Sequence, residues 1–199
     1  MAANNNKLRD SLRFFGKFLR NPGRVGSIMP SSRYLAEAMA ADLDLEPGDL
    51  VIEYGPGTGP MTMVLADSLP SGVRYLGIER DTHFHQLLEE RFPYLEFHHG
   101  SVVDVAEILR DRDLPKARAI ISGLPFASLP KDVQEAIARS TQEVLTEDGE
   151  FRTFQYVHAY GLPAARRFRE VMDRLFGSCT RSQPVLRNVP PAYVLTYKP

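Results

Sequence analysis

The most informative residues of this chain are three glycines at alternate positions, Gly55, Gly57 and Gly59. They follow an apolar run at 49–54 that is typical of a strand. Glycine at such a turn lets the backbone bend sharply and lets a ligand approach closely, because no Cβ stands in the way. The spacing differs from the dinucleotide fingerprint, whose third glycine would fall at position 60, where this chain has Pro60.

Two carboxylates accompany this turn. Glu53 precedes it, where it would repel phosphates but attract an ammonium or a sulfonium ion. Glu79 ends the second predicted strand, where a carboxylate can accept two hydrogen bonds from ribose hydroxyls. S-adenosylmethionine carries a ribose and both cations, so these residues predict a site for it. An ordinary turn between a strand and a helix is the alternative.

A second turn follows the third predicted strand, where Gly100, Ser101 and Val102 stand together. Ligands of open α/β sheets lie beyond the carboxyl ends of the strands, so we expect this turn to lie under an adenine. The Ser101 hydroxyl or the Val102 N–H could read the edge of the base. A plain turn into the following helix is the alternative.

Strand-like and helix-like segments alternate along most of the chain. The predicted strands cover 49–54, 73–79, 94–98, 117–122 and 150–158. The predicted helices cover 33–41, 60–68, 82–92, 132–145 and 163–176. This alternation indicates right-handed βαβ units and a mainly parallel sheet. The runs 183–188 and 193–197 leave no room for a crossover helix, so we expect them to pair as antiparallel neighbours.

The first 25 residues differ in charge from the rest of the chain, with six basic residues against one acidic residue. Apolar residues at positions 8, 12, 15, 18 and 19 recur at helical spacing among the basic ones. We therefore predict an amphipathic helix at 1–22, followed by one domain at 23–199. The composition fits a helix lying in an anionic membrane surface, and a core helix is the alternative.

Composition limits the remaining classes of protein. The chain has 199 residues, enough for one core, and its net charge of −1 argues against a protein coated in positive charge for nucleic acid. Cys179 is its only cysteine, so we expect a reducing, cytoplasmic setting and no structural metal. The sequence shows no long apolar span and no secretory signal, so we expect no integral membrane segment.

The chain resembles the class I S-adenosylmethionine-dependent methyltransferases, and more closely the bacterial phospholipid N-methyltransferases that convert phosphatidylethanolamine to phosphatidylcholine. The similarity covers nearly the whole chain and includes the basic start, 26–32 (Gly-Ser-Ile-Met-Pro-Ser-Ser), 53–59 (Glu-Tyr-Gly-Pro-Gly-Thr-Gly), 122–126 (Ser-Gly-Leu-Pro-Phe) and 187–192 (Arg-Asn-Val-Pro-Pro-Ala). It implies a Rossmann-like α/β fold with a seven-stranded, mainly parallel sheet and a C-terminal antiparallel hairpin. It also implies S-adenosylmethionine as the methyl donor, S-adenosylhomocysteine as the product, and no metal.

The predicted cofactor contacts lie in these motifs and at the strand ends. They are Ser31, Glu53, Tyr54, Gly55, Gly57, Gly59, Glu79, Arg80, Gly100, Ser101, Val102 and Ser122. The competing resemblance is to the rRNA adenine dimethyltransferases, whose motif after the fourth strand is Asn-Leu-Pro-Tyr/Phe. This chain has Gly123 in place of that asparagine, so a flexible aliphatic amine fits better than a base amine.

Methyl transfer to an amine requires a neutral lone pair that is aligned with the methyl carbon. A primary ammonium is mostly protonated at neutral pH, so its proton must leave to water or to a base such as His158 or Tyr156. Tyr156, Phe126 and Tyr193 are candidates for cation–π contacts with the methylated nitrogen, and core packing is their alternative. Arg187 is the candidate for the lipid phosphate, and a solvated arginine is its alternative.

The sequence therefore predicts a phospholipid N-methyltransferase in the cytoplasm that binds the membrane peripherally through residues 1–22. Its expected partners are a phospholipid substrate and an anionic membrane surface, without nucleic acid. Two alternatives stay open. One is a soluble methyltransferase that acts on rRNA adenine or on a small amine, and the other is a non-catalytic adenosyl-binding module.

Overall fold

A computed structural model describes residues 32–199. The predicted amphipathic helix at 1–22 and the predicted cofactor contact Ser31 lie outside these residues, so both remain predictions. Within residues 32–199, none of the helices has the length and apolar character needed to cross a bilayer.

Six α-helices and seven β-strands alternate through the described residues. The helices are α1 (Arg33–Ala40), α2 (Pro60–Ser68), α3 (Thr82–Arg91), α4 (Val105–Asp111), α5 (Lys131–Val144) and α6 (Pro163–Phe176). The strands are β1 (Leu50–Tyr54), β2 (Arg74–Glu79), β3 (Glu96–His99), β4 (Ala117–Ser122), β5 (Leu145–Tyr156), β6 (Ser178–Arg181) and β7 (Ala192–Lys198). Short 3-10 turns stand at Val102–Asp104, Phe126–Ser128 and Val157–Ala159.

The strands form one sheet in the order β3-β2-β1-β4-β5-β7-β6. The first five are parallel, whereas β7 runs antiparallel to both β5 and β6. The order reverses between β1 and β4, which is the point where open α/β sheets form their ligand crevice. The predicted Rossmann-like fold with a C-terminal antiparallel hairpin is confirmed.

The C-terminal hairpin is built from a different strand than the one predicted. Residues 183–188 do not form a strand, and only Val185 makes an isolated bridge, to Ala192. The partner of β7 is instead β6, which begins directly after α6. Residues 183–191 contain three prolines, which lack the N–H that a strand ladder needs, so this segment remains a loop.

Both faces of the sheet are covered, as a parallel sheet requires. One core contains Ile52, Ile120, Phe151 and Phe168, and it lies against α4, α5 and α6. The other contains Val51, Leu65, Leu88 and Ile121, and it lies against α1, α2 and α3. Loops that leave the strands at their carboxyl ends therefore project from a rigid frame.

Candidate active site

The predicted site residues gather at one edge of the sheet because the five parallel strands end there. The glycine loop follows β1, Glu79 ends β2, and Ser122 ends β4. Strand β7 begins at this edge, since its first residue Ala192 pairs with Tyr156 at the end of β5. Ligands of open α/β sheets bind outside this carboxyl edge.

The three glycines of the loop all have left-handed backbone angles, but for different reasons. A Cβ on Gly55 (φ 66°) would come within 2.7 Å of Leu124 Cδ2, so this glycine lets the loop after β4 pack closely. A Cβ on Gly59 (φ 81°) would meet the Phe92 ring at 2.8 Å, so it serves the packing of α3. A Cβ on Gly57 (φ 60°) would meet no heavy atom of the described chain within 4 Å. Open space for a ligand therefore lies at Gly57.

Glu79 joins this loop to the end of β2. Its Oε2 accepts a hydrogen bond from the Gly57 N–H at 3.0 Å, and its Oε1 accepts from the N–H groups of Arg80 and Asp81 at 2.8 Å each. The residue is 4% exposed. An ionised carboxylate accepts about four hydrogen bonds, and Glu79 accepts three from the backbone. It can therefore accept a further hydrogen bond from a ligand hydroxyl.

Glu53 lies deeper and makes different contacts. Its Oε2 accepts hydrogen bonds from Thr62 Oγ1 at 2.8 Å and from the Tyr75 hydroxyl at 2.6 Å. Burial raises the pKa of Glu53 from 4.5 to about 7, although these two hydrogen bonds oppose the rise. The contacts show a carboxylate held beneath the glycine loop by its neighbours on α2 and β2.

The sequence reasoning did not include Thr62 and Tyr75, although a signal for Tyr75 was present. Alternate residues of neighbouring strands share a face, and Tyr75 lies two residues before Gly77, which pairs directly with Glu53. A Cβ on Gly77 would come within 2.9 Å of the Tyr75 hydroxyl. The missing side chain at Gly77 therefore makes room for Tyr75 to reach Glu53.

The turn after β3 has the local structure of a capped helix start. The Ser101 hydroxyl accepts the Val103 N–H at 3.3 Å, and Val102 is buried in the core. A Cβ on Gly100 would meet the His98 ring at 2.5 Å, so glycine is required there for packing. The capping contact favours the Val102 backbone over the Ser101 hydroxyl as the reader of an adenine, and the role of both remains a prediction.

The turn after β4 is fixed by buried side chains. The Ser122 hydroxyl accepts the Leu124 N–H at 3.3 Å, and the amide of Gln134 donates to the carbonyls of Phe126 and Leu129. The Phe126 ring stacks on Phe168 with a centroid distance of 4.2 Å and is 4% exposed. This burial favours the alternative reading of Phe126 as a core residue over a cation–π contact with the acceptor nitrogen.

Tyr156 and His158 project past the end of β4. Ile121 pairs with Arg152, so β5 continues for several residues beyond the last residue of β4. The Tyr156 ring is half-buried and stacks on His158, with centroids 5.7 Å apart. Burial raises the pKa of Tyr156 above its ordinary value of 10, which favours a neutral phenol over a proton acceptor. His158 lies in the 3-10 turn rather than in the strand predicted for it, and it is exposed.

Tyr193 lies on the opposite face of the sheet from Tyr156. It meets Tyr160 edge-on with centroids 5.1 Å apart, and the Arg181 guanidinium lies 4.7 Å from its ring centroid. Arg169 covers Tyr160 at 3.8 Å. The Tyr193 ring therefore already contacts a cation of the protein, which favours the packing reading of this residue.

Arg187 and its neighbours connect the last loop to α1. The Arg187 guanidinium lies 5.0 Å from the Tyr34 ring centroid and is exposed. Next to it, the Asn188 side chain is buried, accepts the Ser32 N–H at 3.0 Å and donates to the Pro190 carbonyl at 2.6 Å. In the sequence, Asn188 was quoted only as part of a motif, and its role as an anchor became visible only in the folded protein.

The two remaining predicted cofactor contacts, Tyr54 and Arg80, differ in how far their side chains are buried. Tyr54 is fully buried against the α5 face, and its hydroxyl accepts from Thr141 at 3.4 Å, so only its backbone borders the loop. Arg80 is half-buried beside the β3 turn, and burial lowers its pKa while the Asp104 carboxylate opposes that change.

The geometry fits a ligand with a ribose and a cationic end. Gly57 offers open backbone, and the Glu79 carboxylate faces the same loop. Glu53 adds a second carboxylate close enough to Glu79 that the two charges interact. Such a pair would favour a bound cation. Among residues 32–199, no group of three or more His, Cys, Asp or Glu side chains is placed to hold a metal ion.

Curated relatives include lipid and rRNA enzymes. The chain is 33% identical over 188 residues to the ornithine lipid N-methyltransferase of Singulisphaera acidiphila, which covers 93% of this chain and 94% of that protein. It is 28% identical over 124 residues to the ribosomal RNA small subunit methyltransferase A of Thermotoga neapolitana, covering 61% of this chain and 44% of that protein. No family model matches the chain.

Solved structures share the fold. The O-methyltransferase of Bacillus cereus, in complex with S-adenosylhomocysteine, superposes with a TM-score of 0.64. The superposed region covers 98% of this chain and 91% of the Bacillus cereus chain, at 11% sequence identity. At that identity the likeness concerns the fold alone.

Proposed function

Since this chain belongs to the family of S-adenosylmethionine-dependent N-methyltransferases that includes the ornithine lipid enzyme, we propose that it methylates the primary amine of phosphatidylethanolamine and forms phosphatidylcholine. The observation that carries the proposal is the 33% identity to a lipid N-methyltransferase along 93% of the chain. The rRNA relative matches a smaller part of the chain, and the asparagine of the rRNA motif is replaced by Gly123.

The cofactor would be held by the first half of the sheet. Glu79 would accept the ribose hydroxyls, Gly57 would let the backbone approach, and Glu53 would favour the cationic end from below. When bound there, S-adenosylmethionine supplies an electrophilic methyl group. The Glu79 contact with the Gly57 N–H also orders the loop before the ligand arrives.

The acceptor amine would enter beside the end of β5. The Tyr156 ring offers a π-face to a cationic nitrogen, and its hydroxyl can accept a hydrogen bond from the amine. The raised pKa of Tyr156 makes it a neutral partner, so the amine proton leaves to water or to the exposed His158 ring. Arg187 would bind the lipid phosphate from the last loop, because a guanidinium matches phosphate with paired donors.

The enzyme would work at the membrane surface. Residues 1–25 carry six basic residues and one acidic residue, which fits docking of the segment 1–22 on anionic lipid. The interior of a cell, with the reducing setting expected from a single cysteine, is the proposed location.

The test is incubation of the purified chain with methyl-labelled S-adenosylmethionine and vesicles, followed by thin-layer chromatography of the lipids. One vesicle preparation contains phosphatidylethanolamine and another contains ornithine lipid. Label in mono-, di- and trimethylated phosphatidylethanolamine is the expected result. Label in ornithine lipid alone would identify ornithine lipid, and not phosphatidylethanolamine, as the substrate. Label only in added rRNA would favour the base-methylating alternative.

A further inference from the structure

Exposed apolar side chains are concentrated at one end of the described protein. Among residues 32–199, seven large apolar residues are exposed. Five of them stand in the segment after β5, in the loop before β7 or in the adjoining first turn of α1. These five form what is called here the apolar patch: Tyr34, Val157, Leu162, Leu186 and Val189. Leu186 and Val189 are 71% and 66% exposed. Exposed apolar residues that share one end of a protein indicate a contact surface.

Two contacts hold the segments of the apolar patch together. The last loop is fastened to α1 by the Asn188–Ser32 hydrogen bond. The same loop is fastened to the end of β5, because the Val157 N–H donates to the Pro191 carbonyl at 2.8 Å. Leu186 and Val189 are thus carried on a loop that is anchored on two sides.

Two segments of the apolar patch carry charges of one sign. The segments 156–169 and 181–191 contain five arginines and no acidic residue, although the whole chain has a net charge of −1. The arginines are Arg166, Arg167, Arg169, Arg181 and Arg187, and all except Arg169 are exposed. Apolar side chains set among cations are typical of surfaces that lie in the interface of an anionic bilayer.

We propose that the apolar patch inserts into the surface of an anionic lipid bilayer, so that the folded domain itself docks beside the acceptor entrance. The inference rests on the proposed function, because it takes the acceptor amine to come from a membrane lipid. It adds a second membrane contact to the basic segment 1–22. A lipid amine could then reach Tyr156 without leaving the bilayer interface.

Charge decides between the bilayer and the other occupants of the patch. The segment 1–25 carries five net positive charges, and a second copy of this end would bring five further arginines. Both would place like charges together across the interface, which is unfavourable. An anionic bilayer provides complementary charge and an apolar interior.

The absence of tryptophan from the chain allows a direct test. Leu186→Trp in the 199-residue chain introduces a single tryptophan at the apolar patch. Tyr94→Trp is the matched control, because Tyr94 is 70% exposed and precedes β3 at the opposite edge of the sheet. Emission is recorded with and without vesicles that contain phosphatidylglycerol, and again with brominated lipid as a quencher.

We expect the emission of the Leu186→Trp protein to shift to shorter wavelength on vesicles and to be quenched by brominated lipid, while the Tyr94→Trp protein shows neither change. No response in a protein that sediments with the vesicles would overturn the proposal and leave docking to the segment 1–22. Short-wavelength emission already present without lipid would also overturn it, since the chain or a second copy would then cover the patch.

A second pair of variants measures how much the apolar patch contributes to vesicle binding. Leu186→Ser combined with Val189→Ser should weaken vesicle binding by about tenfold or more, because two apolar side chains no longer enter the bilayer interface. Tyr94→Ser should leave the binding unchanged. Equal binding by the double variant contradicts the proposal. Neither readout involves methyl transfer, so a lipid-dependent emission shift without methylated lipid refutes the function alone, and methylation without the shift refutes the inference alone.

Discussion

At the scale of single residues, two acidic side chains at neighbouring strand ends have different roles. Glu79 accepts three backbone N–H groups from the edge where the ligand would lie, whereas Glu53 is occupied by Thr62 and Tyr75 below it. The difference follows from position, because Glu79 is the last residue of its strand and Glu53 is followed by one more strand residue. Glu79 is therefore the stronger candidate for direct contact with the cofactor.

Glu79→Ala should weaken S-adenosylmethionine binding by about 1.5–3 kcal/mol, the range for hydrogen bonds to a charged group. Isothermal titration calorimetry measures the affinity. The control is Glu90→Ala, since Glu90 is exposed on α3. A parallel denaturation curve separates lost contacts from lost folding, because the substitution also removes the acceptor of the Gly57 N–H. Unchanged affinity in a folded variant would remove Glu79 from the site.

At the scale of elements, the last loop is held in place by one buried amide. Asn188 joins the loop before β7 to the N-terminus of α1, two parts of the chain that are 156 positions apart. Arg187, Leu186 and Val189 are carried on this loop, so the anchor helps to fix their position. The Arg152 guanidinium fastens the other end of α1, since it donates to the carbonyls of Met39 and Ala41.

Asn188→Ala should lower the free energy of unfolding by about 1–3 kcal/mol, because the Ser32 N–H and the Pro190 carbonyl lose a partner. Urea denaturation gives this value. Hydrogen exchange should also become faster at the Leu35 and Ala36 amides, which close the first turn of α1. Asn188→Asp keeps the acceptor for the Ser32 N–H but sets a buried carboxylate against the Pro190 carbonyl, so it should lose at least as much stability. A variant as stable as the parent would mean that the anchor contributes no net energy.

At the scale of the whole molecule, the buried Glu53 makes stability depend on pH. Its pKa is raised from 4.5 to about 7, so the unfolded chain releases this proton at lower pH than the folded protein does. The contribution of Glu53 to the free energy of unfolding is fully present below pH 4.5, and it is lost as the pH rises to about 7. The folded protein is therefore destabilised by this one group in neutral and basic solution.

Glu53→Gln removes the ionisation and keeps an oxygen that accepts from Thr62 and Tyr75. Relative to the parent, the variant should gain about 2–3 kcal/mol of stability between pH 5 and pH 8, measured by urea denaturation at each pH. The reference is Glu90→Gln, a substitution at an exposed position of α3 that is measured over the same pH range. A constant difference across this range would show that Glu53 titrates near its ordinary value.

The sequence by itself determined the order of elements and the edge at which ligands would bind. Parallel strands end at one edge, so a glycine turn after β1 and an acidic residue ending β2 are brought together by connectivity alone. The positive φ angles of Gly55, Gly57 and Gly59 were equally accessible, because glycine is favoured where the backbone must turn in this way.

Only the tertiary structure decided which aromatic and polar groups face a ligand. Phe126 and Tyr193 have the residue type of a cation–π site, but Phe168 of α6 and Arg181 of β6 occupy their rings. The strand beside β7 was also misplaced, since apolar residues at 183–188 resemble a strand locally while three prolines nearby prevent continuous pairing. Local pattern specifies secondary structure and strand ends, whereas packing between residues far apart in sequence determines which side chains remain free to act.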